Sequence, residues 1–156
     1  MPNALHGDDL ETWSSLATVL EWLPPALDAQ LQQDSDITHF EYGILFALAD
    51  APERTLRMSV LASYANSSLS RLSRAATRLE AKSWIERTPD PGDGRSTLAR
   101  LTDTGLDRFE QATPGHTQTV LRLVLDPLTQ AQARQLREIT RRIAQAIRDD
   151  EGWRPA

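Results

Sequence analysis

The sequence predicts a mainly α-helical chain with a small two-stranded β-wing: a winged helix-turn-helix domain flanked by N- and C-terminal dimerisation helices. Three observations carry that prediction. Apolar residues recur at steps of three and four near both ends. In the middle, two helical stretches meet across the polar turn Asn66-Ser67-Ser68. Just beyond, two short alternating runs flank a stretch dense in Pro, Gly and Asp at 89–94. At 156 residues the chain suits one domain, with 9–50 and 116–149 as its helical dimerisation region and 52–108 as its winged helix-turn-helix region.

Taken in order, Trp13, Leu16, Leu20, Leu23, Leu27 and Leu31 form one apolar stripe over residues 9–33. Pro24 and Pro25 interrupt it, which predicts a kink or two short helices. Thr38 with Glu41 forms a capping box opening a second helix, with Phe40, Ile44, Leu45 and Leu48 on its buried face and an end near Pro52. A short helix at 58–65 and a longer one ending near Lys82 make the helix-turn-helix. Residues 84–87 and 97–101 alternate as a hairpin. Thr102 caps a helix carrying Leu106 and Phe109, Pro114-Gly115 breaks or bends it, and Thr129 opens a last helix with the stripe Leu136, Ile139, Ile143 and Ile147. Two such terminal stripes exceed what one thin module buries, so they are expected to interdigitate across a two-fold axis; the plainer alternative is that they cover their own domain.

The net charge of −5 argues against a nucleic-acid partner until its distribution is considered. Residues 52–108 carry ten Lys/Arg against seven Asp/Glu, whereas the remainder carries seven against fifteen. All but Lys82 of these basic residues are arginine, which suits bidentate contacts to phosphates and bases. Without cysteine there is no disulfide, thiolate ligand or thiol sensor, which fits a reducing cytoplasm. No basic leader or membrane-length apolar run is evident.

On the second helix of the motif, helical projection gathers Leu69, Leu72, Ala76 and Leu79 on one side. Ser67, Ser70, Arg71, Arg74 and Arg78 gather on the other, with Ser68 in the preceding turn. Serines at a helix start suit capping or phosphate contacts, and arginines one and two turns on suit guanine edges. The plainer reading is a solvated helix face. The segment 72–105 adds a more specific pattern: Arg78-Leu79-Glu80, Trp84-Ile85-Glu86-Arg87, Asp93-Gly94-Arg95, then Leu101-Thr102 and Gly105. With Ile37-Thr38 and Leu61-Ala62 upstream, this order resembles the MarR (multiple antibiotic resistance regulator) family of winged helix-turn-helix regulators. One departure is Ser83, where the family usually has glycine after the recognition helix.

The resemblance implies that Arg95 at the wing tip enters the minor groove while Asp93 orients it; alone, the two read as a solvated charge and a turn residue. It also implies effectors, often phenolic, bound between dimer base and DNA-binding head. Trp13, Trp22, Tyr42, Phe46 and Tyr64 are aromatic candidates for lining that site, although each by itself reads more plainly as core. His6, His39 and His116 stand apart with no cysteine to help, so neither metal nor cofactor is expected, and both His39 and His116 read as surface residues. No phosphate loop, dinucleotide fingerprint or nucleophile elbow appears, so no enzyme is expected. The expected function is a homodimeric repressor on a pseudo-palindromic double-stranded DNA operator, released by a small effector. The overall acidity keeps a second class open, a winged-helix protein-interaction module that does not bind DNA.

Overall fold

The computed structural model describes residues 4–150. Helix α1 spans Gly7–Ser35, α2 His39–Asp50, α3 Met58–Tyr64, α4 Leu69–Ala81, α5 Asp103–Val120 and α6 Gln130–Asp149. Strands β1 Thr55–Arg57, β2 Ile85–Asp90 and β3 Asp93–Leu101 form an antiparallel sheet in the order β1-β3-β2. The hairpin is therefore joined by a third strand, with Thr55 opposite Arg100 and Arg57 opposite Leu98. At three residues, β1 is too short to show a period, and pairing with β3 is what makes it a strand. The wing is also longer than the alternation indicated, running through Pro89 to the Asp90–Asp93 pair.

Neither proline site divides its helix, so of the outcomes expected there the two short helices and the break do not form. Helix α1 continues through Pro24 and Pro25, and α5 continues through Pro114. A proline removes the bond to the carbonyl four residues earlier, and those carbonyls belong to Leu20, Glu21 and Glu110, all exposed. Water can solvate them there, so the interruption costs less than it would in a buried turn. The ladder does change after α5, where Leu121–Leu125 form a π-helical turn. Gly115 lies against α1: a Cβ there would sit 3.1 Å from Gln30 Nε2.

The core joins the end of α1 to the winged helix through Leu31, Ile44, Leu48, Leu61, Leu72 and Leu101, all fully buried. Of the α1 stripe only Leu27 and Leu31 are buried, while Trp13 and Leu20 stay exposed, as does Trp22 outside the stripe. Helix α6 has a complete capping box at Thr129 and Gln132 but buries no residue at all. Its stripe residues Leu136, Ile139, Ile143 and Ile147 are 38–53% exposed, so they do not cover their own domain.

Helix α4 ends in an unusual backbone at Ser83, where the resembled family usually has glycine. Ser83 has φ +60°, its N–H donates to the Glu80 carbonyl, and the Trp84 N–H reaches back to the Leu79 carbonyl. This is a left-handed helix cap made without glycine. A left-handed L-residue costs about 1–2 kcal/mol, partly offset by glycine's greater chain entropy, so Ser83→Gly is expected to stabilise the fold by roughly 0.5–1 kcal/mol. Thermal unfolding should show a Tm higher by about 1–4 °C. A lower Tm would mean that this turn carries no such strain.

Candidate nucleic-acid interface

Helix α4 is built to present one face. Leu72, Ala75, Ala76 and Leu79 are buried in the core, and Ser70, Arg71, Arg74 and Arg78 are exposed. Ser68 is the N-cap, its hydroxyl accepting from the Arg71 N–H at 3.2 Å. Ser67 departs from expectation: it is 2% exposed, with its hydroxyl donating to the Ser68 carbonyl. It precedes the cap, so a helical projection does not apply to it. Leu69 departs the other way, being 56% exposed at the first turn, where α4 extends past the core.

The three arginines differ in what holds them. Arg71 lies over the Phe40 ring at 4.2 Å, a cation–π contact. The Arg78 Nε donates at 2.8 Å to Glu41, a carboxylate only 5% exposed that also accepts the Thr38 N–H in the capping box. Arg74, between them, has no side-chain partner among the described residues. All three border one groove with Asp28, Thr38 and Phe40.

The wing is braced from two sides. The Asp90 carboxylate, almost buried, accepts from Arg57 Nε at 2.7 Å and from the Gly92 N–H at 2.9 Å, which ties the wing turn to β1. Asp93 accepts the Arg95 backbone N–H at 3.1 Å and the Ser96 hydroxyl at 2.9 Å. These bonds hold its carboxyl below the usual aspartate range. Asp93 thus shapes the backbone that carries Arg95, through the Arg95 N–H and the Ser96 hydroxyl. Arg95 itself is exposed and borders a cleft shared with Leu69 and Ser73 of α4. Arg87 links wing to helix: it donates to Glu80 at 2.5 Å, to Ser73 Oγ at 3.2 Å and to Thr77 Oγ1 at 3.0 Å.

The aromatic candidates do not line a single site. Tyr42 and Phe46 share a cleft of about 470 Å³ between α2 and α5 with Phe109, Thr113 and His116. Tyr64 borders a different cleft beside Pro24, Pro25 and Phe40. Trp13 borders neither of these two and is 52% exposed on α1. The histidines, separated by 77 positions in sequence, come together: the His39 and His116 rings lie 6.0 Å apart, and His116 packs at 4.3 Å on Tyr42. Burial, and secondarily His39, push the His116 pKa down.

A family model described as MarR family matches residues 35–96. Sco3205, a MarR family transcriptional regulator from Streptomyces coelicolor solved in complex with DNA, is 39% identical, with 99% of this chain and 97% of that one covered at a TM-score of 0.93. The chain belongs to the MarR family. AbsC, another MarR family regulator from Streptomyces coelicolor, is 29% identical over 95% of this chain and 99% of its own, with a TM-score of 0.89. YdcH of Bacillus subtilis, described as an uncharacterized HTH-type transcriptional regulator, is 31% identical over 81 residues. That match spans 51% of this chain and 55% of YdcH.

The MarR family consists of transcriptional regulators, and the residues that shaped the resemblance have structural work visible here. Arg87 and Glu80 form the bridge between the hairpin and α4, and Thr102 both caps α5 and donates to the Ser83 and Trp84 carbonyls. Sequence reasoning missed Asp90, Arg57 and the second role of Glu41, because their partners lie 33 or 37 positions away with no local period to link them. No helix among the described residues is long and apolar enough to cross a membrane.

The Glu80–Arg87 bridge makes a prediction. Hydrogen bonds from Arg87 hold the Glu80 carboxyl below the ordinary glutamate range. A lowered folded pKa adds stability that is present above the unfolded value of about 4.3 and is lost as pH falls through the folded value. Urea unfolding of Glu80→Gln should therefore show lower stability at neutral pH and a shallower loss in acid below about pH 4.3 than the parent. Parallel curves for the two would remove Glu80 from the acid response.

Proposed function

We propose that this chain is a homodimeric, sequence-specific regulator that binds double-stranded DNA and acts as a repressor released by a small effector. The observation that carries the reading is the exposed face of α4, with Arg74 unengaged and Arg95 presented beside it on the braced wing. Its likeness over nearly the whole chain to a relative solved on DNA supports the same reading. Two recognition helices related by a two-fold axis enter successive major grooves about one helical turn apart, with the wings over the flanking minor grooves. The exposed stripe of α6, with the amino-terminal part of α1, supplies the dimer contact.

The effector site we favour is the α2/α5 cleft of Tyr42, Phe46 and His116, whose size and aromatic lining suit a small phenol. A ligand bound more tightly to the head separation that does not fit DNA lowers operator affinity by that difference in binding free energy.

Gel-shift titration against the region upstream of its own coding sequence, at two salt concentrations, tests the reading. Arg74→Ala should reduce discrimination between operator variants by about 1–3 kcal/mol, because a base contact is lost. Arg95→Ala should reduce the salt slope by about one and weaken most the operators whose minor groove under the wing is narrow. Absence of saturable, salt-sensitive binding by the parent would instead favour a protein-interaction module.

A further inference from the structure

We infer that the first turn of α2 is a positioning element for the recognition helix, with Glu41 holding Arg78 through its Nε and Phe40 holding Arg71 by its face, on either side of the unengaged Arg74. The inference rests on the DNA-binding reading for its consequence but on separate contacts for its geometry. Arg71 and Arg78 lie seven residues apart, two turns along the same face of α4. Adjacent residues of α2 engage them both: the Phe40 ring lies under Arg71 and the Glu41 carboxylate accepts from Arg78. Glu41 is itself immobilised, because it is buried and its other oxygen accepts the Thr38 N–H. A buried carboxylate with one oxygen in the helix cap and the other on a guanidinium sets the spacing between α2 and α4.

Arg78 contributes through the hold that its Nε makes on Glu41. The same turn carries His39 and Tyr42, which face His116 in the α2/α5 cleft. Displacement of this turn by a molecule in the cleft would move Phe40 and Glu41, and with them the arginines. Loss of the hold gives α4 more freedom, and the cost of ordering it returns as weaker binding.

Glu41→Gln suits the test, since glutamine also serves in a capping box but cannot satisfy Thr38 N–H and Arg78 with the same charge. Operator affinity of Glu41→Gln, Arg78→Met and the double variant would be measured against salt, on the duplex that the parent selects from a randomised pool. Each single variant should bind about tenfold more weakly, the double no worse than either, with the parent's salt slope kept. A slope reduced by about one in Arg78→Met, with Glu41→Gln unchanged, would make Arg78 a direct phosphate contact and overturn the inference. So would parental affinity in all three.

A second measurement needs no DNA. In the free protein the Arg78 Nε proton should be protected from solvent exchange, and Glu41→Gln should remove that protection while thermal unfolding stays cooperative. An unprotected proton in the parent would overturn the hold whatever the duplex arm shows. A parent that selects no duplex would overturn the proposed function, and this exchange measurement would still decide the hold.

Discussion

Ile139→Asp should yield a folded monomer that no longer binds its operator. Ile139 lies midway along the α6 stripe, is 53% exposed within the protomer and stands outside its hydrophobic core, so a carboxylate there leaves that core intact. In the proposed dimer the same position is buried twice, once from each subunit. Each copy forfeits the burial of an isoleucine and places a charge in an apolar contact, at a cost of about 3 kcal/mol or more per copy. Two copies give about 6 kcal/mol, or roughly a 10⁴-fold rise in the dimer dissociation constant. Sedimentation should report the monomer mass, far-UV circular dichroism should keep its helical signal, and gel shifts should lose the complex. A dimer of parental stability would show that α6 is not the contact.

Gly105→Ala is expected to have the largest effect on the fold itself. A Cβ at Gly105 would lie 2.0 Å from the Trp84 carbonyl oxygen and 2.7 Å from Leu101 Cδ1. Neither neighbour can retreat cheaply. The Trp84 carbonyl also accepts the Thr102 N–H and hydroxyl, and Leu101 is fully buried in the core. Adding a methyl group at such a contact forces backbone shifts, so a loss of about 3 kcal/mol or more is expected, with Tm lower by roughly 6–12 °C. Gly43→Ala is the contrasting control. Nothing lies within 4 Å of a Cβ there, and in the middle of α2 alanine is favoured over glycine by about 1 kcal/mol. Urea unfolding should move in opposite directions for the two substitutions. Equal destabilisation would mean that close approach of backbone is not what requires glycine at 105.

Much of the architecture was legible because its causes are local. The Thr38–Glu41 capping box involves residues three apart, and it forms as read. The buried and exposed sides of α4 follow from helical geometry wherever the backbone is helical. The reading failed at Ser67 because that residue precedes the N-cap, and at Leu69 because periodicity says which residues share a side and not how far the core extends beneath them. The prolines of α1 and α5 left division of the helix open beside a kink or bend, because sequence does not reveal that the residues bearing the abandoned carbonyls are exposed.

By itself the sequence determined the order and type of the helices, the hairpin and the basic middle segment. Those features arise from interactions within a few residues, where spacing along the chain stands in for distance in space. Only the tertiary structure decided that Glu41 takes hold of Arg78, that Asp90 anchors the wing through Arg57, that His39 meets His116, and that Tyr64 is parted from Tyr42. Each of these joins or separates groups distant along the chain, and their mutual distances are set by how whole helices pack around one core.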